Sequence, residues 1–159
     1  MHAKIKCVVD NNVKLSSNFW GEHGISFLIE NKEKILFDTG KTFEVLNHNL
    51  EVLGEKKEEI SKIFISHGHY DHTGGLIGIM KHTNAKIFAH PSIFDQKYKK
   101  TPDGPKYIGA PFKEKELPDI SLTKESVELS KNIFTTGEIE RSFDFEKVST
   151  IFQKKVGLK

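Results

Sequence analysis

Apolar and polar positions alternate over residues 3–9, and the Asp10-Asn11-Asn12 run behind them carries turn chemistry, so the chain is expected to open with a strand. Residues 13–21 read as a loop carrying Trp20. Two further strands follow at 24–30 and 34–37, and Asn31-Lys32-Glu33 between them is short enough for a hairpin. Over 42–53 the period changes. Phe43, Val45, Leu46, Leu50 and Leu53 fall at helical spacing, and Gly54 supplies a stop. The compact apolar run 63–65 predicts a buried strand, 76–81 a helix, and 86–89 another strand ended by His90-Pro91. From 96 to 118 the pattern is broken by Pro102, Gly104, Pro105, Gly109 and Pro111, which predicts an extended, partly mobile loop. Short strands are expected at 120–122, 127–129 and 133–135, and no strand or helix companion is expected for 148–159. Strand–helix alternation in the middle with hairpins at both ends argues for a mixed α/β sheet in one domain spanning 1–159.

Composition narrows the function classes. Of 159 residues, 36% are apolar and 29% charged, as in a globular protein with a wet surface. The 24 basic and 22 acidic residues nearly cancel to +2, and no basic stripe points to nucleic acid. Lys97-Tyr98-Lys99-Lys100 reads as a solvated loop rather than a phosphate clamp. Cys7 is the only cysteine, which excludes an intramolecular disulfide and suits a reducing compartment; it is expected to be a small buried hydrophobe on the first strand. His2, Lys4 and Lys6 interrupt the start, so no signal peptide is expected, and no stretch approaches the roughly 20 apolar residues of a membrane span. A cytoplasmic location is the expectation.

The chemistry concentrates in His67-Gly68-His69-Tyr70-Asp71-His72-Thr73, directly after the strand at 63–65. Imidazole nitrogen and carboxylate oxygen form the mixture that zinc, iron and manganese sites use. A helix through the motif would bring His67 and Asp71 together but aim His69 elsewhere. A metal-binding loop between a strand and a helix fits better, with Gly68, Gly74 and Gly75 expected to let the backbone turn tightly. His2, His48 and His82 read as exposed or helix-face residues. Glu138 and Arg141, after a glycine turn, read equally as a wall for an anionic substrate or as a solvated strand end.

The His-x-His-x-Asp-His spacing of His67, His69, Asp71 and His72, with the strand-end Asp38 in Leu36-Phe37-Asp38-Thr39-Gly40, resembles the metallo-β-lactamase superfamily. The segments 22–29, 66–76 and 136–139, with His90-Pro91, are similar to its dihydropterin-type ribofuranosylaminobenzene phosphate synthase branch. The resemblance implies an αββα sandwich, here its N-terminal portion, with two divalent metal ions at one edge of the sheets, zinc first and iron or manganese as alternatives. It implies that His67 and His69 hold one ion and Asp71 and His72 the other. Asp71 and Asp38 are then the carboxylates engaged in catalysis, Asp38 by orienting the loop, and His23 and His90 are candidates for touching substrate. The activity implied is metal-dependent hydrolysis or transfer by a metal-bound hydroxide, on a small phosphorylated, pterin-related molecule.

The chain also departs from that pattern. Related enzymes continue into a further strand–helix half that supplies a third ligand for the first metal and more for the second, whereas no histidine follows His90 here. The expectation is a chain truncated at its C-terminus. The missing donors would come from a second chain or a homo-oligomer, and the rival reading is a non-catalytic, metal-binding or partner-dependent fragment.

Overall fold

A computed structural model of the chain describes residues 2–117, 119–143 and 145–155. Its centre is a six-stranded mixed sheet built from β1 (Lys4–Val9), β2 (Ser26–Glu30), β3 (Lys34–Phe37), β4 (Ile60–Ile65), β5 (Lys86–Ala89) and β8 (Ile120–Leu122), in the order β1-β2-β3-β4-β5-β8. The first three strands are antiparallel neighbours, and β3, β4, β5 and β8 run parallel. Parallel strands need crossovers. The helix α1 (Phe43–Val52) lies between β3 and β4, and the short helices α2 (Tyr70–Thr73) and α3 (Leu76–Ile79) lie between β4 and β5. The parallel arrangement carries the function: the carboxyl ends of β3, β4 and β5 share one sheet edge, so Asp38, Ser66–His69 and His90 all emerge there.

Register divides the sheet into two faces. Leu28, Leu36, Ile63 and Ile87 are successive cross-strand partners, all buried, and they form the main core with Leu46 and Leu50 of α1 and Leu76 and Ile79 of α3. Offset by one residue, Phe27, Phe37, Phe64 and Phe88 make an aromatic row on the opposite face, with ring centroids 6.3 Å apart for Phe27–Phe37 and 5.5 Å for Phe37–Phe64. The hairpin of β9 (Glu128–Ser130) and β10 (Ile133–Phe134) covers part of that face, and its Leu129 packs with Ile35 and Phe88. This is one sheet of the expected sandwich with helices on its outer face.

Several expectations require correction. The stretch 96–118 is not a mobile loop: β6 (Gln96–Thr101) and β7 (Gly104–Tyr107) form a hairpin with Pro102-Asp103 at its tip, followed by a 3-10 turn at Glu114–Glu116; Pro118 lies outside the described residues. The turn is specified locally, because Gly104 takes φ +112° and its carbonyl accepts from Thr101 Oγ1 at 2.7 Å. The tail is not solitary either. β11 (Phe152–Lys155) pairs antiparallel with β6, so the order β11-β6-β7 makes a three-stranded sheet; residues 156–159 lie outside the described part. Cys7 is exposed rather than buried. A register irregularity between Cys7 and Val9 turns both Val8 and Val9 inward, which reverses the phase that simple alternation assigns to Cys7.

Candidate metal centre

The site begins with Asp38. It follows β3 in a left-handed conformation, φ 54°, which is uncommon for a residue with a Cβ, and its side chain is fully buried. Its main chain is fixed by Asp38 N–H donating to Phe64 O (2.9 Å) and by Ser26 Oγ donating to Asp38 O (2.8 Å). The carboxylate accepts three hydrogen bonds: Ser66 N at 2.8 Å, Ser66 Oγ at 2.7 Å and His72 Nδ1 at 2.7 Å. One buried acid thereby ties the end of β4 to α2.

This network assigns the protons. Ser66 has a single hydroxyl proton and donates it to Asp38, so at His67 Nδ1, 2.9 Å away, the serine oxygen accepts. His67 therefore carries its proton on Nδ1, and His72 carries its own on the Nδ1 that faces Asp38. In their neutral forms both rings then present an Nε2 lone pair. The Nε2 of His67 lies 2.9 Å from His69 Nδ1, and the Nε2 of His72 lies 3.6 Å from Asp71 Oδ2. Two nitrogens on one tetrahedral zinc, each at about 2.0–2.1 Å, stand roughly 3.3 Å apart, so both separations are within a few tenths of an ångström of what a shared cation needs. Ring centroids of His67 and His72 are 4.1 Å apart, which brings the two donor pairs together.

Electrostatics favour neutral imidazole at the first pair. Burial, then the neighbouring His72 and His69, push the His67 pKa down to about 4. Burial also lowers that of His69, with Asp71 opposing and Lys97 adding to the effect. At His72 burial acts in the same sense, but the hydrogen bond and charge of Asp38, joined by Asp71, outweigh it and raise the pKa.

The motif glycines work differently from the sequence reading. Gly74 (φ −67°) and Gly75 (φ −78°) adopt ordinary helical conformations, and Gly68 is not among the positive-φ glycines either. What they provide is proximity. A Cβ on Gly68 would stand 2.1 Å from Ile93 O, and one on Gly74 1.9 Å from Lys41 O. The second half of the motif is itself a helical turn, α2, with His69 at its N-cap.

His67, His69, Asp71, His72 and Asp38 converge, and His23 joins them from the loop before β2, with Nε2 3.3 Å from Asp71 Oδ2 and its side chain 61% exposed. His90 does not join. Its Nδ1 accepts from Ser92 N (3.0 Å), which leaves the proton on an Nε2 that stands 3.6 Å from Glu138. His90 lines a separate apolar cleft of 330 Å³ shared with Ser66, Phe37, Phe64, Phe88 and Leu129. His48 stacks on Trp20 at 3.8 Å and His82 on Phe43 at 5.3 Å, so neither belongs to the site. Glu138 pairs with Lys124 at 3.0 Å.

Three contributors went unassigned in the sequence. Ser66 sets the His67 tautomer. Glu22 fixes the turn after Asp38 by accepting from Lys41 N (2.8 Å), Thr42 N (2.9 Å) and Thr42 Oγ1 (2.8 Å). Ile108 receives Tyr70 N–H at 3.1 Å, locking the β6–β7 hairpin onto the motif. Only the last has a sequence signal, since Thr-Pro-Asp-Gly is a recognisable turn. Among the described residues no group of three or more His, Cys, Asp or Glu side chains is arranged to hold one ion. The close pairs His67–His69 and Asp71–His72 each offer two donor atoms.

The fold is a mixed α/β one with the histidine motif at the carboxyl edge of its parallel strands, and residues 21–141 match the sequence profile of the metallo-beta-lactamase superfamily. The chain belongs to that superfamily. It is 39% identical to the 7,8-dihydropterin-6-methyl-4-(beta-D-ribofuranosyl)-aminobenzene-5'-phosphate synthase of Methanocaldococcus jannaschii, over 93% of this chain and 55% of the relative. It is 36% identical to an uncharacterised protein of the same organism, over 89% of this chain and 56% of that one. The chain therefore spans about half the length of the curated relatives it matches. Among solved structures, the Rm3 metallo-beta-lactamase superposes with a TM-score of 0.51 at 27% identity, covering 72% of this chain and 45% of the other. Among the described residues, no helix is long and apolar enough to cross a membrane.

Proposed function

We propose that the chain carries the first half of a two-metal centre, with His67 and His69 holding one divalent cation and Asp71 and His72 a second, zinc before iron or manganese. The protein it serves would then catalyse metal-dependent hydrolysis or transfer on a small phosphorylated, pterin-related molecule. The observation that carries this reading is the tautomer control: Asp38 and Ser66 fix Nδ1–H on His72 and His67, so that both Nε2 lone pairs face the space shared with Asp71 and His69. The substrate class follows from similarity to a synthase whose name specifies a dihydropterin and a 5'-phosphate.

When bound, a pair of divalent ions supplies Lewis acidity and brings the pKa of a coordinated water toward neutrality. The chain's own residues do the rest. Burial keeps His67 neutral and ready to donate its lone pair at physiological pH. Asp38 holds the His72 ring and takes no part in contact with substrate, which makes it a positioning residue. His23, exposed beside Asp71, is placed to exchange a proton at Nε2 with a bound molecule.

A test follows directly. Phosphodiesterase or phosphomonoesterase turnover with added zinc or manganese should fall at least about a hundredfold in His69→Ala and in Asp71→Ala. Turnover unchanged by both substitutions would remove the metal centre from the reaction. A second reading rests on the two donor atoms that each pair offers: this chain binds metal only when a second chain or second copy adds donors, and has no turnover alone. Activity that appears only on mixing with such a partner selects it.

A further inference from the structure

The three-stranded sheet β11-β6-β7 concentrates positive charge that its own structure does not explain. Directly opposed residues in antiparallel strands share a face, and here Lys99 stands opposite Lys106 while Lys97 stands opposite Lys154. Like charges in that relation destabilise a sheet. Lys154 pairs with Asp95 at 2.5 Å, and Lys97 Nζ donates to Ser92 O and Asp95 O. Among the described residues, Lys99 and Lys106 have no carboxylate partner within 4.0 Å. Lysines on edge strands commonly guard against aggregation, but Lys97 and Lys99 lie on β6, the central strand, where no edge needs guarding.

The same face is turned to the histidine motif. Phe152, opposite Lys99, places its ring 6.1 Å from that of His69. Ile108 bonds to both parts, donating N–H to Lys97 O at 2.9 Å and accepting from Tyr70 N at 3.1 Å, and Gly109 bridges to His69. Lys97 is half-buried, with Nζ donating to Ser92 O at 2.7 Å and Asp95 O at 3.3 Å, which holds its charge in place beside the motif.

We propose that Lys97, Lys99, Lys106 and Lys154 form an anion-binding wall that receives the phosphate end of a small phosphorylated substrate while its reacting bond lies at the histidine motif. A bound phosphate would supply the counter-charge that the opposed Lys99 and Lys106 lack, and Phe152 offers an apolar surface between phosphate and reaction centre. The inference rests on the functional reading above for the place of the reacting bond. The wall itself rests on charge and register alone.

Amide chemical shifts test it, on chain stripped of metal with chelator, dialysed, and titrated with phenyl phosphate at low salt. Saturable shifts should map to β6 and β7, and the dissociation constant should rise about tenfold or more in K99E/K106E, as expected for two reversed charges beside a phosphate. K99Q/K106Q, which changes exposed side chains without reversing charge, should show a smaller loss in the same direction. Absence of shifts on β6–β7, or equal affinity in wild type and both variants, overturns the proposal. Far tighter binding of a mixed-sequence single-stranded oligonucleotide on the same face also overturns it, by making the wall a nucleic-acid surface. If phosphate binds only after zinc is added and ignores the lysine variants, the wall fails and the metal reading stands. If the metal-free chain binds phosphate there but never takes up zinc, the wall stands and the metal reading fails.

Discussion

Asp38 concentrates more of the site's order than any other side chain, because three donors from two separate elements meet on one buried carboxylate. Asp38→Ala would leave Ser66 N–H without its acceptor and His72 without its anchor, and should cost about 2–4 kcal/mol in urea unfolding. Asp38→Asn should cost less but turn an amide donor toward His72 Nδ1, moving that proton to Nε2 and weakening metal binding about ten- to a hundredfold. Titration separates the histidines. In metal-free chain, His67 should stay neutral down to about pH 4, whereas His72 should titrate above the ordinary 6.5. The signs oppose: because the folded His67 pKa lies below its unfolded value, stability falls as pH drops from 6.5 toward 4. The raised His72 pKa adds stability that is full below 6.5 and lost as pH rises through its folded value. Nitrogen-detected imidazole shifts across pH 3.5–8 check both, and a reversed titration order would contradict the proton assignment. The ligand-type residues were legible from residue type and spacing. The role of Ser66 was not, since a serine before a histidine means nothing until Asp38 arrives from another strand.

At the scale of elements, the strand ends decide where chemistry collects, and tight backbone approach decides how closely. Gly68→Ala must move either β4's exit or the 3-10 turn at Pro91–Phe94, because the added methyl meets Ile93 O at 2.1 Å. A loss of about 2–4 kcal/mol is expected. Gly54→Ala is the comparison: nothing lies within 4 Å, so only its φ of +71° resists, at about 1 kcal/mol. Equal losses in the two variants would contradict the close-approach account. Hydrophobic periodicity found β2 to β5 and α1 because each buries a face, and β8 through Ile120, which packs against the core. It failed at β6 and β7 because lysine and tyrosine alternate there without a buried face, and because the punctuating Pro102 and Gly104 mark a hairpin tip rather than a loop. It failed at β11 because its partner strand β6 lies more than fifty residues earlier in the sequence. Cys7 was misplaced by one irregularity in register, which no single-strand pattern reports.

The whole molecule has two asymmetries. One sheet face is sealed by α1 and α3, while the aromatic row Phe27, Phe37 and Phe64 on the other is only partly covered. In the proposed centre each ion would have two protein donors among the described residues, where a catalytic zinc generally has three. The chain spans about half the length of the curated relatives it matches. Membership of the superfamily was readable from the histidine motif and Asp38 alone, while the lysine sheet against that motif emerged only from the fold. If the two donor pairs hold two ions as proposed, equilibrium dialysis against zinc followed by elemental analysis will report it. About two equivalents should be retained per chain, with His69→Ala and Asp71→Ala each removing about one. No retained zinc, or retention indifferent to both substitutions, would contradict it.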